Sequence, residues 1–189
     1  MKLTLIRHGE TVGNTLNLLQ GQTPGELTEL GKTQAQKLAQ RLKTEKFDSI
    51  YASDLKRVRD TLQPTLQHFP QTPLVYTEQL RERKFGEIEG RKISDFPGYD
   101  HDFAKYPSCE TNFAMVERAG KFLQELEQKH PLQNILVFTH GALLTALLAH
   151  YFGKTLEETF QQYPGVRNTS VTILENKQIK LFNCTEHLE

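Results

Sequence analysis

Short apolar runs recur along the chain and are separated by longer segments whose apolar residues follow a helical spacing. Six of these runs have the length and composition typical of β-strands. They are Lys2–Ile6, Asp48–Ala52, Pro73–Thr77, Asn134–Thr139, Thr169–Glu175 and Gln178–Asn183. The last two are close enough to pair as a hairpin around Asn176-Lys177.

Amphipathic helices are predicted between the strands. Thr28 is placed to cap the first helix, and Ser53 is expected to cap a second helix that begins at Asp54. Pro64 is expected to kink this second helix or to end its regular part. The apolar positions of the first helix, spaced by three and four residues, are Ala35, Leu38, Ala39 and Leu42.

Two further helices follow in the second half of the chain. Thr111 is placed to cap a long helix that ends before Pro131, and a buried helix is predicted over Ala142–Tyr151. The uncharged stretch Ile135–Phe152 approaches the length of a membrane span, but a strand, a turn at His140-Gly141 and a helix describe it better. The face predicted to be buried in the long helix consists of Phe113, Val116, Ala119, Leu123 and Leu126.

Strands that alternate with helices predict an α/β fold. We expect a three-layer α/β/α sandwich with a mixed, mostly parallel six-stranded sheet and a small helical cap insertion. The insertion covers about residues 85–110, where the chain is rich in Gly, Pro and aromatic residues and has one possible helix near Ser94–Lys105. The whole chain, residues 1–189, is predicted to form a single domain.

Composition narrows the class of protein. The 23 basic and 23 acidic residues give no formal net charge, which argues against nucleic acid as a partner. Two cysteines, Cys109 and Cys184, are too few for a disulfide framework. We therefore expect a soluble cytoplasmic protein, a monomer or a homodimer, with neither nucleic acid nor a membrane as a partner.

The residues that follow the strands carry the candidate chemistry. In open α/β sheets, ligands bind beyond the carboxyl ends of the strands. The groups at these ends are Arg7-His8-Gly9, Ser53 to Arg57, Arg81-Glu82-Arg83 and His140-Gly141. Two histidines, several arginines and a carboxylate at one edge suit phosphoryl transfer, in which positioning and charge neutralisation carry most of the catalysis.

Arg7-His8-Gly9-Glu10-Thr11, with Asn14 after it, resembles the signature of the histidine phosphatase superfamily, the phosphoglycerate-mutase-like proteins. Further blocks extend the resemblance over nearly the whole chain. They are Leu27-Thr28-Glu29, Ser53-Asp54-Leu55 with Arg57 and Thr61, Leu80-Arg81-Glu82 with Phe85-Gly86, Glu110-Thr111 with Arg118, Thr139-His140-Gly141 and Asn168-Thr169-Ser170-Val171. A lone Arg-His-Gly would be a weak signal, whereas ordered blocks at workable spacing are a strong one.

The resemblance implies a two-step mechanism. His8 would attack phosphorus and carry a phosphohistidine, and Glu82 would act as general acid and then as general base. Arg7 and Arg57 would hold the phosphate oxygens and lower the pKa of His8, which must be neutral to attack. His140 would donate a further hydrogen bond to the phosphate.

The resemblance also implies contacts to the substrate. Asn14 would donate to the phosphate, and aromatic and basic residues of the insertion would meet the rest of the molecule. The remaining predicted substrate contacts are Gln20, Gly21, Arg83, Gly141 and Ala142. The aromatic residues available for such contacts are Phe85, Phe96, Tyr99, Phe103 and Tyr106, and some of them are expected to belong to the core instead. We expect no cofactor and no metal, because neither metal-ligand motifs nor a Walker loop occur in the sequence.

Three functions remain open on the sequence alone. A phosphomonoesterase that hydrolyses a small phosphorylated metabolite is favoured, because the insertion is too short for the extensive lid with which a mutase excludes water. The alternatives are phosphoglycerate mutase-type phosphoryl transfer and a catalytically silent domain that binds a phospholigand. Four residues depart from the usual pattern of the resembled family near the substrate or the cap: Gln22, Gly25, Cys109 and Ala142.

Overall fold

A computed structural model describes residues 1–96, 103 and 105–189 of the chain. Most of the helix predicted near Ser94–Lys105, and the predicted contact Tyr99, lie outside the described residues. The strands are β1 (Lys2–Arg7), β2 (Ser49–Ser53), β3 (Leu74–Thr77), β4 (Asn134–Thr139), β5 (Val171–Glu175) and β6 (Gln178–Cys184). The helices are α1 (Val12–Thr15), α2 (Glu29–Leu42), α3 (Lys56–Leu66), α4 (Asn112–Lys129), α5 (Gly141–Phe152) and α6 (Leu156–Gln162).

The six strands form one mixed sheet in the order β3-β2-β4-β1-β5-β6. The first four in this order run parallel, while β5 pairs antiparallel with β1 and with β6. The prediction of a mixed, mostly parallel six-stranded sheet is thus confirmed. The parallel arrangement brings the carboxyl ends of β1, β2, β3 and β4 to one edge, where the functional loops begin.

Successive side chains of the central strands face opposite layers of helix. Leu3 and Leu5 of β1 pack in one core cluster with α4 and α5, whereas Ile6 packs in a second cluster with α2 and α3. Residues of β4 divide in the same way, with Val137 in the first cluster and Phe138 in the second. Helices therefore cover both faces of the sheet, as predicted for a three-layer sandwich.

Thr28 and Thr111 cap their helices as predicted, each accepting a hydrogen bond from the backbone N–H three residues ahead. Ser53, in contrast, is not a helix cap. It is the last residue of β2, and α3 begins only at Lys56, after Leu55. Pro64 lies inside α3, which ends two residues later at Leu66.

The predicted buried face of α4 is wrong at its beginning. Phe113 is 74% exposed, and the buried stripe starts instead at Met115 and includes Phe122 and Leu126. Because an α-helix has about 3.6 residues per turn, residues two positions apart point in directions that differ by roughly 200°. Met115 and Phe113 therefore face nearly opposite sides of α4. The short helices α1 and α6 are absent from the sequence prediction.

The described residues of the insertion form two short 3-10 turns, Gly86–Ile88 and Ile93–Asp95, and a further turn, Glu78–Leu80, precedes it. Most of the predicted aromatic contacts pack on one another rather than around an open site. This third core cluster consists of Leu19, Phe85, Ile88, Phe96, Phe103 and Cys109, with Tyr106 against it. None of the helices that the structure describes combines the length and apolar character of a membrane span.

Candidate active site

Two histidines and two arginines meet at the carboxyl edge of the sheet. Arg7 ends β1, His8 follows it, and His140 follows β4, while Arg57 lies in the first turn of α3. The rings of His8 and His140 are 5.2 Å apart between centroids, and both side chains are buried, as is Arg57. The topology therefore brings together four of the five predicted catalytic side chains, and Glu82 joins them from the segment after β3.

The protonation of the His8 ring follows from its contact with backbone. His8 Nδ1 lies 2.8 Å from the carbonyl oxygen of Gly9, which can only accept a hydrogen bond. Nδ1 therefore carries the proton, and Nε2 of the neutral ring keeps a lone pair. The N–H of Gly9 donates to Thr61 Oγ1 over 2.9 Å, which fixes the turn that supplies this carbonyl.

Close packing explains the glycine after His8. A Cβ at Gly9 would stand 2.7 Å from the carbonyl oxygen of Gly31 in the first turn of α2. No larger residue fits between the catalytic turn and this helix without displacing backbone. The glycine thus allows the helix capped by Thr28 to press against the loop that holds His8.

The surroundings of His8 favour the neutral ring. Burial has the largest effect, followed by the positive charges of Arg57 and Arg7, and together they hold the pKa of His8 well below its usual 6.5. The two arginines therefore act in the predicted direction, but burial dominates. A neutral imidazole with a free Nε2 is the nucleophilic form of histidine.

Arg57 is held at both ends of its guanidinium. Its Nη1 donates to the carbonyl of Thr23 over 2.9 Å, and its Nη2 donates to the carbonyl of Gly21 over 2.7 Å. Its Nε donates to His140 Nδ1 over 3.2 Å. Burial lowers the pKa of Arg57 to about 10, so the group stays charged at neutral pH. Gly21, predicted as a substrate contact, acts here by holding Arg57.

Both ring nitrogens of His140 have protein partners. Because arginine can only donate, Nδ1 of His140 accepts from Arg57, and Nε2 then carries the proton. Nε2 donates to Ser53 Oγ over 2.8 Å. The hydrogen bond to phosphate that was predicted for His140 requires its ring to exchange one of these partners. Ser53, interpreted from sequence as a helix cap, is instead the acceptor for the Nε2–H of the His140 tautomer that Arg57 selects.

Replacing Ser53 by Ala is expected to leave the buried Nε2–H of His140 without an acceptor. An unsatisfied buried donor costs about 1–3 kcal/mol, so the free energy of unfolding from urea titration should fall by about that amount, and kcat/KM should fall with it. Ser49→Ala is the matched control, because Ser49 is buried on the same strand and its hydroxyl donates to the neighbouring carbonyl of Asp48 rather than to the site. Equal effects of the two variants on stability and activity would contradict this role for Ser53.

Arg7 and Asn14 have donors directed away from their protein partners. Nη1 of Arg7 donates to the carbonyl of Val166 over 2.5 Å, whereas its buried Nε has no partner among the described residues. Asn14 Oδ1 accepts from the N–H of Thr11 and from Asn168 Nδ2, which leaves the Asn14 NH₂ group as the donor available to a ligand. Asn168 also donates to the carbonyl of His8 over 2.9 Å and so ties Asn14 to the catalytic turn.

Glu82 lies across the site at the N-terminus of α5. Its carboxylate accepts hydrogen bonds from the backbone N–H groups of Arg83, Ala142 and Leu143 at 3.0–3.2 Å. Positive charge at a helix N-terminus favours a carboxylate there. Ala142, predicted as a substrate contact, therefore contributes its N–H to orienting Glu82.

A clamp that the sequence did not reveal holds the segment before Glu82. Arg118 of α4 donates to the carbonyls of Gln79 and Arg81, each over 2.8 Å, and forms a two-point ion pair with Glu110. Arg81 in turn forms a two-point ion pair with Asp54, beside Ser53. These contacts fix the backbone just before the carboxylate of Glu82. In the sequence, only the placement of Glu110 and Arg118 in one block indicated the first ion pair.

A cavity of about 470 Å³ opens beside Arg7, Glu82 and Gly141. Arg83 reaches its wall, and the apolar part of the wall consists of Phe85, Ile93, Ala142, Leu156, Phe160 and Val166. Gln20, also predicted as a substrate contact, is not part of this wall. Its Oε1 accepts a hydrogen bond from Thr11 over 2.9 Å, so it supports the turn that carries Asn14.

Within the described part of the chain, no group of three or more His, Cys, Asp or Glu side chains is arranged to hold a metal ion. The two cysteines, Cys109 and Cys184, are free and buried. Cys109 lies in the insertion, 2.9 Å from the carbonyl oxygen of Phe85.

Comparison with known proteins gives consistent results. The family model described as histidine phosphatase superfamily (branch 1) matches residues 3–183. A probable phosphatase of Schizosaccharomyces pombe is 34% identical over 204 residues, covering 100% of this chain and 96% of its own. The adenosylcobalamin/alpha-ribazole phosphatase of Escherichia coli is 33% identical, with 83% of this chain and 82% of the relative covered.

A solved structure resembles the whole chain. The phosphoserine phosphatase of Entamoeba histolytica, in complex with 3-phosphoglyceric acid, superposes with a TM-score of 0.85 at 27% identity. The match covers 100% of this chain and 99% of that one. The similarity therefore includes the sheet, its helices and the described residues of the insertion.

Proposed function

This chain belongs to branch 1 of the histidine phosphatase superfamily, and from that premise we propose that it hydrolyses a small phosphorylated metabolite as a metal-independent phosphomonoesterase. The reaction passes through a phosphohistidine on His8, with Glu82 as general acid and base. The observation that carries the proposal is the buried, neutral His8, whose free Nε2 lies among the positive charges of Arg57 and Arg7.

In the first step, His8 Nε2 attacks phosphorus in line with the ester oxygen. The Nε2–P bond forms and the P–O bond to the alcohol breaks. Glu82, which has taken up the acidic proton of the bound phosphate monoanion, gives that proton to the departing oxygen. The ring becomes positive as it is phosphorylated. The carbonyl of Gly9, which accepts the hydrogen bond from Nδ1, stabilises this positive charge because the negative end of its dipole faces the ring.

In the second step, water takes the place of the alcohol. The Glu82 carboxylate accepts a proton from the water as its oxygen attacks phosphorus, the Nε2–P bond breaks, and inorganic phosphate leaves. Glu82 is then protonated and His8 neutral, as they were before the first step. The backbone N–H groups at the start of α5 keep the carboxylate in one orientation through both transfers.

Charge on the transferred phosphoryl group is neutralised by Arg7 and Arg57. Both guanidiniums are fixed by backbone carbonyls, so little reorganisation is needed when the anion arrives. Arginine has five N–H donors, and Arg57 uses three of them on protein groups, which leaves two for phosphate. Asn14 supplies a further donor.

Hydrolysis is favoured over the two alternatives. Curated relatives are named as phosphatases of different substrates, among them alpha-ribazole phosphate and phosphoserine, and the feature they share is a phosphate monoester. A domain that only binds a phospholigand does not require a nucleophilic Nε2 on His8 or an oriented carboxylate on Glu82. A cytoplasmic location also belongs to the proposal, supported by the two free cysteines.

Hydrolysis of 4-nitrophenyl phosphate in the presence of EDTA tests the proposal. We expect turnover unaffected by the chelator, and an acid-labile, alkali-stable label on His8 when the reaction is quenched. Folded protein with neither turnover nor label would refute the enzyme. Loss of turnover in EDTA, restored by a divalent metal, would indicate a metallohydrolase instead. Transfer of phosphate between positions of phosphoglycerate that is faster than its release would indicate a mutase.

A further inference from the structure

The cavity beside Glu82 has an apolar wall whose chemistry bears on the alcohol part of the substrate. The wall includes Leu156 and Phe160 of α6, Val166, Ala142 at the start of α5, and Ile93 of the insertion. Its volume of about 470 Å³ lies within the range of about 300–1,000 Å³ that is usual for small-molecule sites. Water in such a cavity is displaced favourably by apolar groups.

Three charged side chains line the same cavity, and each has a defined partner. Arg7 donates to the carbonyl of Val166, and Glu82 is held by three backbone N–H groups. Arg83 is buried, donates to Asn112 Oδ1, and lies with its guanidinium 5.5 Å from the ring centre of Phe103. Glu82 is the one carboxylate among the described lining residues, and its proposed role in proton transfer excludes it as a partner for a substrate ammonium group.

We propose that this cavity binds the alcohol part of the substrate and that this part is a neutral, apolar group. The inference rests on the phosphatase function proposed above and adds the class of substrate to it. An amino acid or a short hydroxy acid would bring charges into a wall that is mostly hydrocarbon, and a buried charge without a partner is costly.

Helix α6 gives the wall a fixed position. Thr155 and Glu158 form a reciprocal capping box, in which Thr155 Oγ1 accepts from the N–H of Glu158 and Glu158 Oε2 accepts from the N–H of Thr155. Leu156 is 8% exposed and anchors the helix in the core, whereas Phe160, one turn later, is 37% exposed at the cavity. Phe160 is therefore the residue of α6 in this wall that can be changed with less effect on folding than Leu156.

The test compares phosphate esters whose alkoxide leaving groups have similar basicity. Because their intrinsic reactivity is then similar, differences in kcat/KM report how well the enzyme recognises the alcohol part. We expect kcat/KM for 2-phenylethyl phosphate to exceed that for O-phosphoserine and for 3-phosphoglycerate by about tenfold or more, since apolar pocket contacts are worth roughly 1–3 kcal/mol. A kcat/KM for either charged ester equal to or above that for 2-phenylethyl phosphate would overturn the inference. It would mean that Arg83, rather than the apolar wall, selects the substrate.

Replacing Phe160, with Phe113 as the matched control, tests whether the preference for an apolar ester arises in this cavity. Phe160→Ser is expected to lower kcat/KM for 2-phenylethyl phosphate about tenfold and to leave that for ethyl phosphate within about twofold, because ethyl phosphate does not reach the ring. Phe113→Ser removes a more exposed phenylalanine (74% against 37% for Phe160) from α4, outside the cavity, and should change neither. Equal losses on both esters in Phe160→Ser would contradict a role in specificity.

Binding distinguishes a failure of this inference from a failure of the proposed function. If the folded protein hydrolysed no ester, the phosphatase proposal would fail, but calorimetry with 2-phenylethylphosphonate and with phosphonoacetate would still test the cavity. Tighter binding of the phenyl compound, weakened by Phe160→Ser, would support an apolar subsite. Equal or weaker binding of the phenyl compound would overturn it.

Discussion

Replacing His8 with Asn is expected to lower kcat/KM by about 10⁴-fold or more, because the covalent route then has no nucleophile. Asn can still donate to the Gly9 carbonyl that His8 Nδ1 contacts, so the turn before α1 keeps its hydrogen bond. The loss should therefore appear in turnover rather than in folding. Steady-state kinetics with 4-nitrophenyl phosphate, checked by circular dichroism, measures it.

The phosphoenzyme provides a second readout for the same variant. Wild-type protein quenched during turnover should carry one acid-labile phosphate, and His8→Asn should carry none. His68→Asn is a suitable control, since His68 is exposed near the end of α3 and should retain both turnover and label. A label that persisted in His8→Asn, or activity within about tenfold of wild type, would show that another group is the nucleophile.

Replacing Glu82 with Gln should have the second largest effect, a loss of about 10²–10⁴-fold for alkyl phosphates, which is the usual contribution of general acid–base catalysis. The two steps should respond differently. With 4-nitrophenyl phosphate, the leaving group departs without a proton, so His8 is still phosphorylated. Water attack still lacks its base, and phosphohistidine should therefore accumulate in this variant.

Rapid-quench labelling of Glu82→Gln with the nitrophenyl ester measures this accumulation. A burst of nitrophenolate close to one equivalent, followed by slow turnover, is the expected trace. Glu87→Gln is the matched control, because Glu87 is an exposed carboxylate of the same segment. If Glu82→Gln lost kcat/KM equally on alkyl and aryl esters and showed no burst, Glu82 would take part in neither proton transfer. Its role would then be to orient other groups of the site.

Most of the strands and helices, and the location of the site, can be predicted from short-range patterns in the sequence. The strand runs, the capping threonines Thr28 and Thr111 and the polar residues at the strand ends each depend on neighbours a few positions away. These short-range preferences act in any chain with the same pattern, and so they can be read without a fold. Once the strands are parallel, their carboxyl ends must share an edge, and His8 and His140 are brought together by topology alone.

Other features depend on contacts between distant segments. Ser53 bonds His140 across 87 positions, and Asn168 bonds Asn14 across 154. A serine before a helical segment is indistinguishable from a cap until another strand places an imidazole beside it. Phe113 and Met115 are equally apolar in the sequence, and only the rotation of α4 against the sheet decides which one is buried.

The sequence by itself determined that this protein has a parallel α/β core with histidines, arginines and a carboxylate at its strand ends. Only the tertiary structure decided the tautomers of His8 and His140, the partners that hold Arg57, and the apolar wall formed by α6. The physical reason is the range of the interactions. Periodicity and capping are local, whereas a hydrogen bond or a cavity wall forms only where packing brings remote atoms within a few ångströms.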